Sequence, residues 1–117
     1  ILRSVAAHIQ RHGPPGVRFE VKLGHTGMPY LMDPMSPLGR AAQNALEKTF
    51  NGKPALIREG GSIPIVQAFK DVLGVDTLLL GLALPDCAAH APNENFPVAN
   101  FEAGIVLNQN LLRELAS

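Results

Sequence analysis

The chain has 117 residues, of which 46% are hydrophobic and 17% charged, so it holds at most one domain and is too apolar to be intrinsically disordered. Ten basic and ten acidic residues give no net charge, which argues against nucleic acid or an anionic membrane as a partner. A single cysteine, Cys87, excludes an internal disulfide and favours a reducing compartment, the cytoplasm. No apolar run approaches the roughly 20 residues that span a bilayer. Because the sequence opens directly in an apparent helix, we expect a piece of a larger protein.

Two elements are predicted before the first long stretch rich in glycine and proline. Apolar residues recur every three to four positions over residues 1–12, which predicts an amphipathic helix that ends in the Gly-Pro-Pro-Gly sequence at 13–16. Apolar and polar residues then alternate over residues 17–23, which predicts a strand with one face buried and the other in water. Residues 24–37 contain two glycines and three prolines, so we expect a connector there and place the best candidate domain boundary in it.

A second helix is predicted to follow this connector. Ser36 has the chemistry of an N-cap and Pro37 suits the first helical position, so the helix begins there and runs to about Phe50, where Asn-Gly ends it. The short apolar segment 55–57 that follows is predicted to be a brief strand. The apolar side of the helix is formed by Leu38, Ala41, Ala42, Ala45 and Leu46.

The remaining elements alternate between helix and strand. A helix with Ser62 as its candidate N-cap and Pro64 in its first turn is predicted to end before Gly74. The nearly all-apolar segment 75–80 predicts a strand buried on both faces, as in a parallel sheet. After an irregular, proline-containing stretch, Asn100 is predicted to cap a last helix, and this order of elements indicates an α/β fold. The apolar contacts of the last helix are expected from Ile105, Leu111, Leu112 and Leu115.

The first candidate site is the Arg-Glu-Gly-Gly-Ser-Ile-Pro sequence at residues 58–64. Gly60 and Gly61 let the backbone approach a ligand closely, and the free N–H groups of the helix that follows attract an anion. Arg58 can add a bidentate contact to a carboxylate, and the Ser62 hydroxyl one further hydrogen bond. The alternative is an ordinary loop in which Ser62 only caps the helix. Proline stands where a nucleophile elbow needs glycine, so Ser62 is not expected to be a catalytic nucleophile.

The second candidate site is His90, in the loop that follows the last predicted strand. Ligands of open α/β sheets gather beyond the carboxyl ends of the strands. A neutral imidazole there suits zinc, and Asp86 or Glu94 could bind the same ion or orient the imidazole. The alternative is a histidine in a surface loop that binds nothing.

Four other residues are weaker candidates for a functional site. His8 and His12 are four residues apart on the first helix, a spacing that could hold a metal ion, but their pattern is more typical of the exposed face of a surface helix. His25 lies between two glycines, and we interpret it as a residue that tolerates an unusual backbone angle. Cys87 is expected to be a buried, inert thiol.

The Gly-Gly-Ser-Ile-Pro sequence at residues 60–64 and the His-Ala-Pro-Asn-Glu sequence at residues 90–94 carry a family resemblance. Together they resemble the C-terminal region of the zinc-dependent peptidases related to carnosinase, aminoacylase and carboxypeptidase G, and they look most similar to the dipeptidase branch. The similarity covers essentially the whole chain. It implies that residues 1–33 are the end of an α+β lid, or dimerisation, domain, consisting of its last helix and strand. Residues 34–117 then form the C-terminal part of an α/β catalytic domain.

The resemblance also implies a reaction and a site. It implies a metallopeptidase that cleaves the amide bond of dipeptides or similar small peptides with a free C-terminal carboxylate, through a water held by two zinc ions. His90 is then a zinc ligand and Glu94 a supporting hydrogen-bond partner, and manganese or cobalt could share such ligands. The residues that the resemblance assigns to the substrate carboxylate are Arg58, Gly60, Gly61 and Ser62.

Most of the family's catalytic residues do not occur in this sequence. The other zinc ligands, the bridging aspartate and the general-base glutamate belong to an N-terminal segment, so we expect the 117 residues alone to be inactive. The resemblance further implies a cytoplasmic homodimer joined through the lid domain. Two alternatives stay open. One is a non-catalytic domain that binds carboxylates or mediates assembly through residues 17–23, and the other is an α/β domain whose histidine loop is only structural.

Overall fold

A computed structural model describes residues 1–24, 26–59 and 63–117, and these ranges contain four α-helices. The helices are α1 (Leu2–His12), α2 (Pro37–Phe50), α3 (Pro64–Leu73) and α4 (Val98–Leu115). None of these helices is long and apolar enough to cross a membrane.

The three predicted strands are not formed. Residues 17–23, 55–57 and 75–80 are irregular, and no strand occurs in the part of the chain that the structure describes. A strand exists only when its backbone N–H and C=O groups pair with those of a neighbouring strand. Alternating or apolar sequence favours such pairing but does not supply the partner. Of the expected α/β fold, the described residues therefore form the helices but not the sheet.

Helices α2 and α3 end where the sequence predicts. The Ser36 hydroxyl oxygen accepts a hydrogen bond from the N–H of Gly39 at 3.1 Å, and Pro37 is the first helical residue. Helix α2 stops at Asn51, whose φ of 52° is left-handed, a conformation that asparagine tolerates better than most residues. Helix α3 stops at Gly74, which is also left-handed with a φ of 68°.

Two predicted N-caps are corrected. Ile63 directly precedes α3 and makes no capping hydrogen bond through its side chain, while Ser62 lies outside the described residues. Asn100 does not cap α4, because this helix already begins at Val98. The side-chain amide of Asn100 instead donates to the carbonyl oxygen of Leu82 at 2.6 Å. The side chain that the sequence predicted to cap α4 therefore forms a tertiary hydrogen bond instead.

The buried core lies between α2 and α4, which are the only two described helices in contact with each other. Helix α2 confirms its predicted apolar side, since Ala41, Ala42 and Ala45 are buried. Helix α4 contributes Leu107, whereas its other buried residue, Gly104, lies against the side chain of Leu82. The small alanine side chains of α2 leave room for the large Leu107 side chain between the two helices.

The apolar contacts predicted for α4 are corrected. Ile105, Leu112 and Leu115 are exposed, and Leu111 is half-buried. Leu107 is the buried leucine, with 2% of its surface exposed. The residues of α4 that face α2 are Leu107, Asn110 and Glu114, which follow an i, i+3, i+7 spacing, so the stripe is rotated relative to the one inferred from the sequence.

Polar contacts along α2 and α4 show that the two helices run antiparallel. The amide of Asn44 donates to a carboxylate oxygen of Glu114 at 2.9 Å, whereas the amide of Asn110 donates to the hydroxyl of Thr49 at 3.0 Å. Lys48 forms an ion pair with Glu114. The hydrogen bonds from Lys48 and then Asn44 lower the pKa of the Glu114 carboxyl below its usual value.

The molecule is open and elongated. Its radius of gyration is 19.8 Å and it measures 64 × 37 × 21 Å. A compact chain of this length has a radius of gyration of about 13 Å. The accessible surface of 9681 Å² also exceeds the roughly 6,200 Å² typical of a compact monomer of this mass. Helix α1 buries no residue and contacts no other described helix. The described residues therefore do not close around a single hydrophobic core.

Candidate functional site

His90 lies in a loop that is closed by its own hydrogen bonds. The N–H of Cys87 donates to the carbonyl of Leu84 at 3.0 Å, and the N–H of Asn95 donates to the carbonyl of Cys87 at 2.9 Å. The side-chain amide of Asn95 also donates to the carbonyl of Asn93 at 3.2 Å. These bonds tie the two ends of the loop together, so His90 projects from a defined turn. Cys87, expected to be buried, is half-buried.

The backbone of this loop is left-handed at three residues other than glycine. The φ angles are 52° at Ala88, 61° at His90 and 64° at Asn93. Asparagine and histidine visit this region more readily than most residues, but Ala88 has no polar side chain to compensate. Such conformations cost on the order of 1–3 kcal/mol each and persist where the surrounding structure enforces them. An enforced conformation at a histidine motivates the hypothesis that the loop has a function.

His90 and Arg58 line the same concave surface. Both side chains are exposed, and both border an open depression of about 2080 Å³. Pockets that enclose a small ligand measure roughly 300–1,000 Å³, so this depression is a broad surface and not a closed pocket. The structure thus brings the predicted metal ligand and the predicted carboxylate-binding arginine to one side of the molecule.

Neither predicted carboxylate joins His90 in a metal cluster. In residues 1–24, 26–59 and 63–117, no group of three or more histidine, cysteine, aspartate or glutamate side chains could hold a metal ion. Glu94 is exposed, and Asp86 contributes its backbone carbonyl, which accepts from the Asn95 amide at 3.4 Å. The His90 imidazole has the donor chemistry of a zinc ligand, but it is a single donor. A metal ion at His90 needs its other ligands from elsewhere.

The rest of the predicted carboxylate site is only partly described. Gly60, Gly61 and Ser62 lie outside the described residues. Helix α3 begins at Pro64, and the residue before it, Ile63, has no side-chain oxygen that could occupy the first N–H groups of the helix. A Cβ added to Gly27 would lie 3.3 Å from the Pro64 ring, which shows that the connector passes close to the start of α3.

The sequence reasoning missed a polar cluster at the end of α3. The N–H of Thr77 donates to the Tyr30 hydroxyl oxygen at 2.7 Å, and the same hydroxyl lies 3.2 Å from a carboxylate oxygen of Asp76. The Lys70 ammonium forms an ion pair with Asp76 at 2.7 Å. The hydrogen bond between them raises the pKa of Lys70 and lowers the pKa of Asp76. The signal in the sequence was the chain's single tyrosine together with two polar residues inside the apolar segment 75–80.

This cluster fixes the connector to the segment after α3. Tyr30 and Thr77 are 47 positions apart in the sequence, yet they share hydrogen bonds through one hydroxyl group. The cluster therefore positions the connector near the surface that carries Arg58, and it has a structural role.

Relatives of the chain are dipeptidases by name. The Cys-Gly metallodipeptidase of Candida albicans is 36% identical over 104 residues, which are 89% of this chain and 21% of that protein. The human Beta-Ala-His dipeptidase is 30% identical over 76 residues, which are 65% of this chain and 15% of that protein. The chain spans about a fifth of the length of the metallodipeptidases it matches.

A solved structure supports the same likeness. The di-peptidase Dug1p from Saccharomyces cerevisiae superposes with a TM-score of 0.71 at 34% identity, over 75% of this chain and 18% of that chain. The resemblance to the dipeptidase branch predicted from the two motifs is therefore confirmed. Because the sequence profile of Peptidase family M20/M25/M40 matches residues 3–114, the chain belongs to that family.

Proposed function

We propose that this chain forms part of the catalytic unit of a metallodipeptidase. The enzyme hydrolyses the amide bond of dipeptides or similar small peptides that carry a free C-terminal carboxylate. The observation that carries the proposal is the common surface of His90, held in a closed left-handed loop, and Arg58. The names of the relatives, metallodipeptidase and dipeptidase, support the same substrate class.

We assign His90 to the metal and the remaining ligands to residues beyond those described. In the proposed enzyme two zinc ions are bound, and zinc supplies a Lewis acid next to the scissile amide. Manganese or cobalt accepts the same kinds of ligand. Glu94, four residues after His90, supports the loop through hydrogen bonding. Because one imidazole cannot hold such a pair, the activity belongs to a longer protein and the 117 residues alone are inactive.

We assign the substrate carboxylate to Arg58 and the turn that follows it. The planar guanidinium can donate two parallel hydrogen bonds to a carboxylate, which fixes the orientation of the substrate. Gly60, Gly61 and Ser62, which lie outside the described residues, complete this part of the site in the proposal. With the carboxylate at Arg58 and the metal at His90, the substrate lies along the depression that both residues border.

We also keep the proposed domain organisation. Residues 1–33 belong to a lid that joins two copies into a homodimer, and residues 34–117 belong to the α/β catalytic domain. The isolation of α1 from the other described helices supports this division. The segments 17–23 and 75–80 become strands when the rest of the protein supplies their neighbours. The single cysteine supports a cytoplasmic location.

The test compares dipeptides with their C-terminal amides, using the intact protein supplied with zinc. We expect hydrolysis of the dipeptide and weak hydrolysis of the amide. Arg58→Gln should raise KM for the dipeptide by roughly ten- to a hundredfold, as expected for loss of a charge-assisted hydrogen bond, and should barely change hydrolysis of the amide. Arg40→Gln, at an exposed arginine on α2, is the matched control and should behave as wild type.

Two results would contradict the proposal. If the intact protein hydrolyses no dipeptide, the chain is better explained as a non-catalytic carboxylate-binding or assembly domain. If Arg58→Gln impairs the dipeptide and its amide equally, Arg58 does not bind the carboxylate. Hydrolysis by the 117 residues alone would show that the activity does not require a longer protein.

A further inference from the structure

Two histidines on α1 lie in contact with each other. His8 and His12 are one helical turn apart, and their ring centroids are separated by 4.4 Å with an angle of 35° between the ring planes. Side chains at i and i+4 share one face of a helix. Both imidazoles are exposed, so the pair is open to solvent and to dissolved ions.

This separation suits two imidazoles that bind one metal ion. Nitrogen ligands lie about 2.0–2.1 Å from a metal such as zinc, so two of them at tetrahedral or square angles are roughly 3 Å apart. Rings whose centroids are 4.4 Å apart can bring one nitrogen each to that distance by side-chain rotation alone. Imidazole is a good ligand for zinc, copper and nickel.

The position of the pair on the helix also favours a cation. His12 is the last residue of α1, and the chain leaves the helix at Gly13 in an extended conformation. The carbonyl groups at the C-terminal end of a helix carry partial negative charge, which attracts cations. The nearby guanidinium of Arg11 is itself positively charged, and a hydrogen bond from its Nε to the carbonyl of Ala7 at 3.1 Å holds it against the helix.

We propose that His8 and His12 form a two-imidazole site for a divalent transition-metal ion, separate from His90. Water fills the remaining positions around the ion, since the described residues offer no third side-chain ligand there. The ion joins two successive turns of α1 and therefore binds the helical form of this segment in preference to the unfolded form.

The consequence is a metal-dependent gain of helix. Helix α1 has 11 residues, buries none of them and contacts no other described helix. Helices shorter than about 12–15 residues are marginal in water without such support. A ligand that binds only the folded form shifts the equilibrium toward it, so the ion should order α1.

The experiment titrates the 117-residue chain with Ni²⁺ and follows binding by calorimetry and helix content by far-ultraviolet circular dichroism. Ni²⁺ is chosen because it does not oxidise Cys87. We expect saturable binding accompanied by a gain of helical signal. His8→Ala and His12→Ala should each weaken binding about a hundredfold, since the second ligand then no longer adds its chelate contribution. Both should lose the helical gain, although alanine is the better helix former.

A matched variant shows whether metal binding depends on the spacing of the two histidines or only on their number. Gln10→His combined with His12→Gln keeps two histidines on α1 but places them two residues apart, on different faces. We expect it to behave like the single substitutions, whereas Arg40→Gln, at an exposed residue on α2, should keep the full response. The proposal is overturned if the wild type shows no helical gain, or if the displaced pair responds as strongly as the wild type.

Discussion

Helices α2 and α4 differ from α1 and α3 in what they bury, although all four form over locally amphipathic or apolar sequence. The first two pack against each other and enclose Leu107, whereas α1 buries no residue and α3 buries only Val66. Periodicity is therefore enough to define a helix, even without a side-chain cap as in α1, but stability depends on packing against a second surface. Full burial of a leucine contributes about 1.5–3 kcal/mol, compared with about 1 kcal/mol for an N-cap.

This contrast has a direct functional consequence. The residues proposed to bind metal and substrate lie in irregular segments outside the helices, and His90 and Arg58 border the same depression. The loop of His90 is held by hydrogen bonds, such as the one from the N–H of Asn95 to the carbonyl of Cys87. The packed α2–α4 pair is the rigid part of the structure, and the residues proposed to bind metal and substrate lie in loops outside it.

Removing the buried leucine should have the largest effect on the packed pair. Leu107→Ala should lower the opening free energy of α2 and α4 by about 3 kcal/mol, because it leaves a cavity between the helices. Leu112→Ala, at a side chain that is 68% exposed, should change it by less than about 0.5 kcal/mol. Amide hydrogen exchange of α2 in the 117-residue chain measures both. Equal effects of the two substitutions would show that the helices do not pack through Leu107.

A smaller loss is expected from Gly39→Ala at the start of α2. A Cβ there would lie 2.6 Å from the carbonyl carbon and 2.9 Å from the Cα of Pro34, and backbone atoms cannot move aside as a flexible side chain can. We expect a cost of about 2 kcal/mol, despite the better helix propensity of alanine. Gly52→Ala is the control, since the nearest atom to its Cβ is 3.9 Å away. If amide exchange in α2 is equally protected in both variants, the chain does not approach Gly39 this closely.

The smallest effect concerns the polar contacts along the same helix pair. The pKa of Glu114 is lowered from 4.5 by hydrogen bonds from Lys48 and Asn44. A lowered carboxyl pKa stabilises the folded form above the unfolded pKa, and this contribution is lost as the pH falls through the folded value. Protection of the α2 and α4 amides should thus decrease on acidification below about pH 4.5, and less so in Glu114→Gln.

Nuclear magnetic resonance titration of the carboxyl groups checks the cause of this pH dependence. Lys48→Met should return the pKa of Glu114 toward its ordinary value, because the largest contribution to the shift is removed. An unchanged pKa in that variant would mean that the ion pair between Lys48 and Glu114 does not form in solution.

The elements that the sequence predicted correctly are those with local causes. The start of α2 is marked by Pro37 at the first helical position and by the hydrogen bond from the N–H of Gly39 to the hydroxyl of Ser36, three residues earlier. Helix α3 ends at Gly74 because glycine accepts a left-handed backbone. The buried face of α2 was also predicted, since its three alanines repeat with helical spacing.

The elements that could not be predicted depend on distant residues. Asn100 resembles an N-cap, but its amide binds the carbonyl of Leu82, 18 positions earlier. The Tyr30 hydroxyl meets Thr77 across 47 positions, and no local pattern encodes that pairing. The predicted strands failed to form for the same reason, because a ladder needs a neighbouring strand that the described residues do not provide.

The candidate site was predicted from motifs and only in part from physical chemistry. A single imidazole or a single arginine is ambiguous in sequence, and it was the pairing of residues 60–64 with residues 90–94 that indicated a peptidase. The left-handed backbone at Ala88 and His90 has no signature in the sequence, since neither residue is glycine. The structure adds that His90 and Arg58 share one surface.

The central claim is that His90 binds a catalytic metal ion in a dipeptidase. The most direct test measures bound zinc and dipeptide hydrolysis in the intact protein, for the wild type and for His90→Ala. We predict that the variant loses bound zinc and loses hydrolysis with it, while remaining folded by circular dichroism. A His90→Ala protein that keeps both its zinc and its full activity would contradict the account.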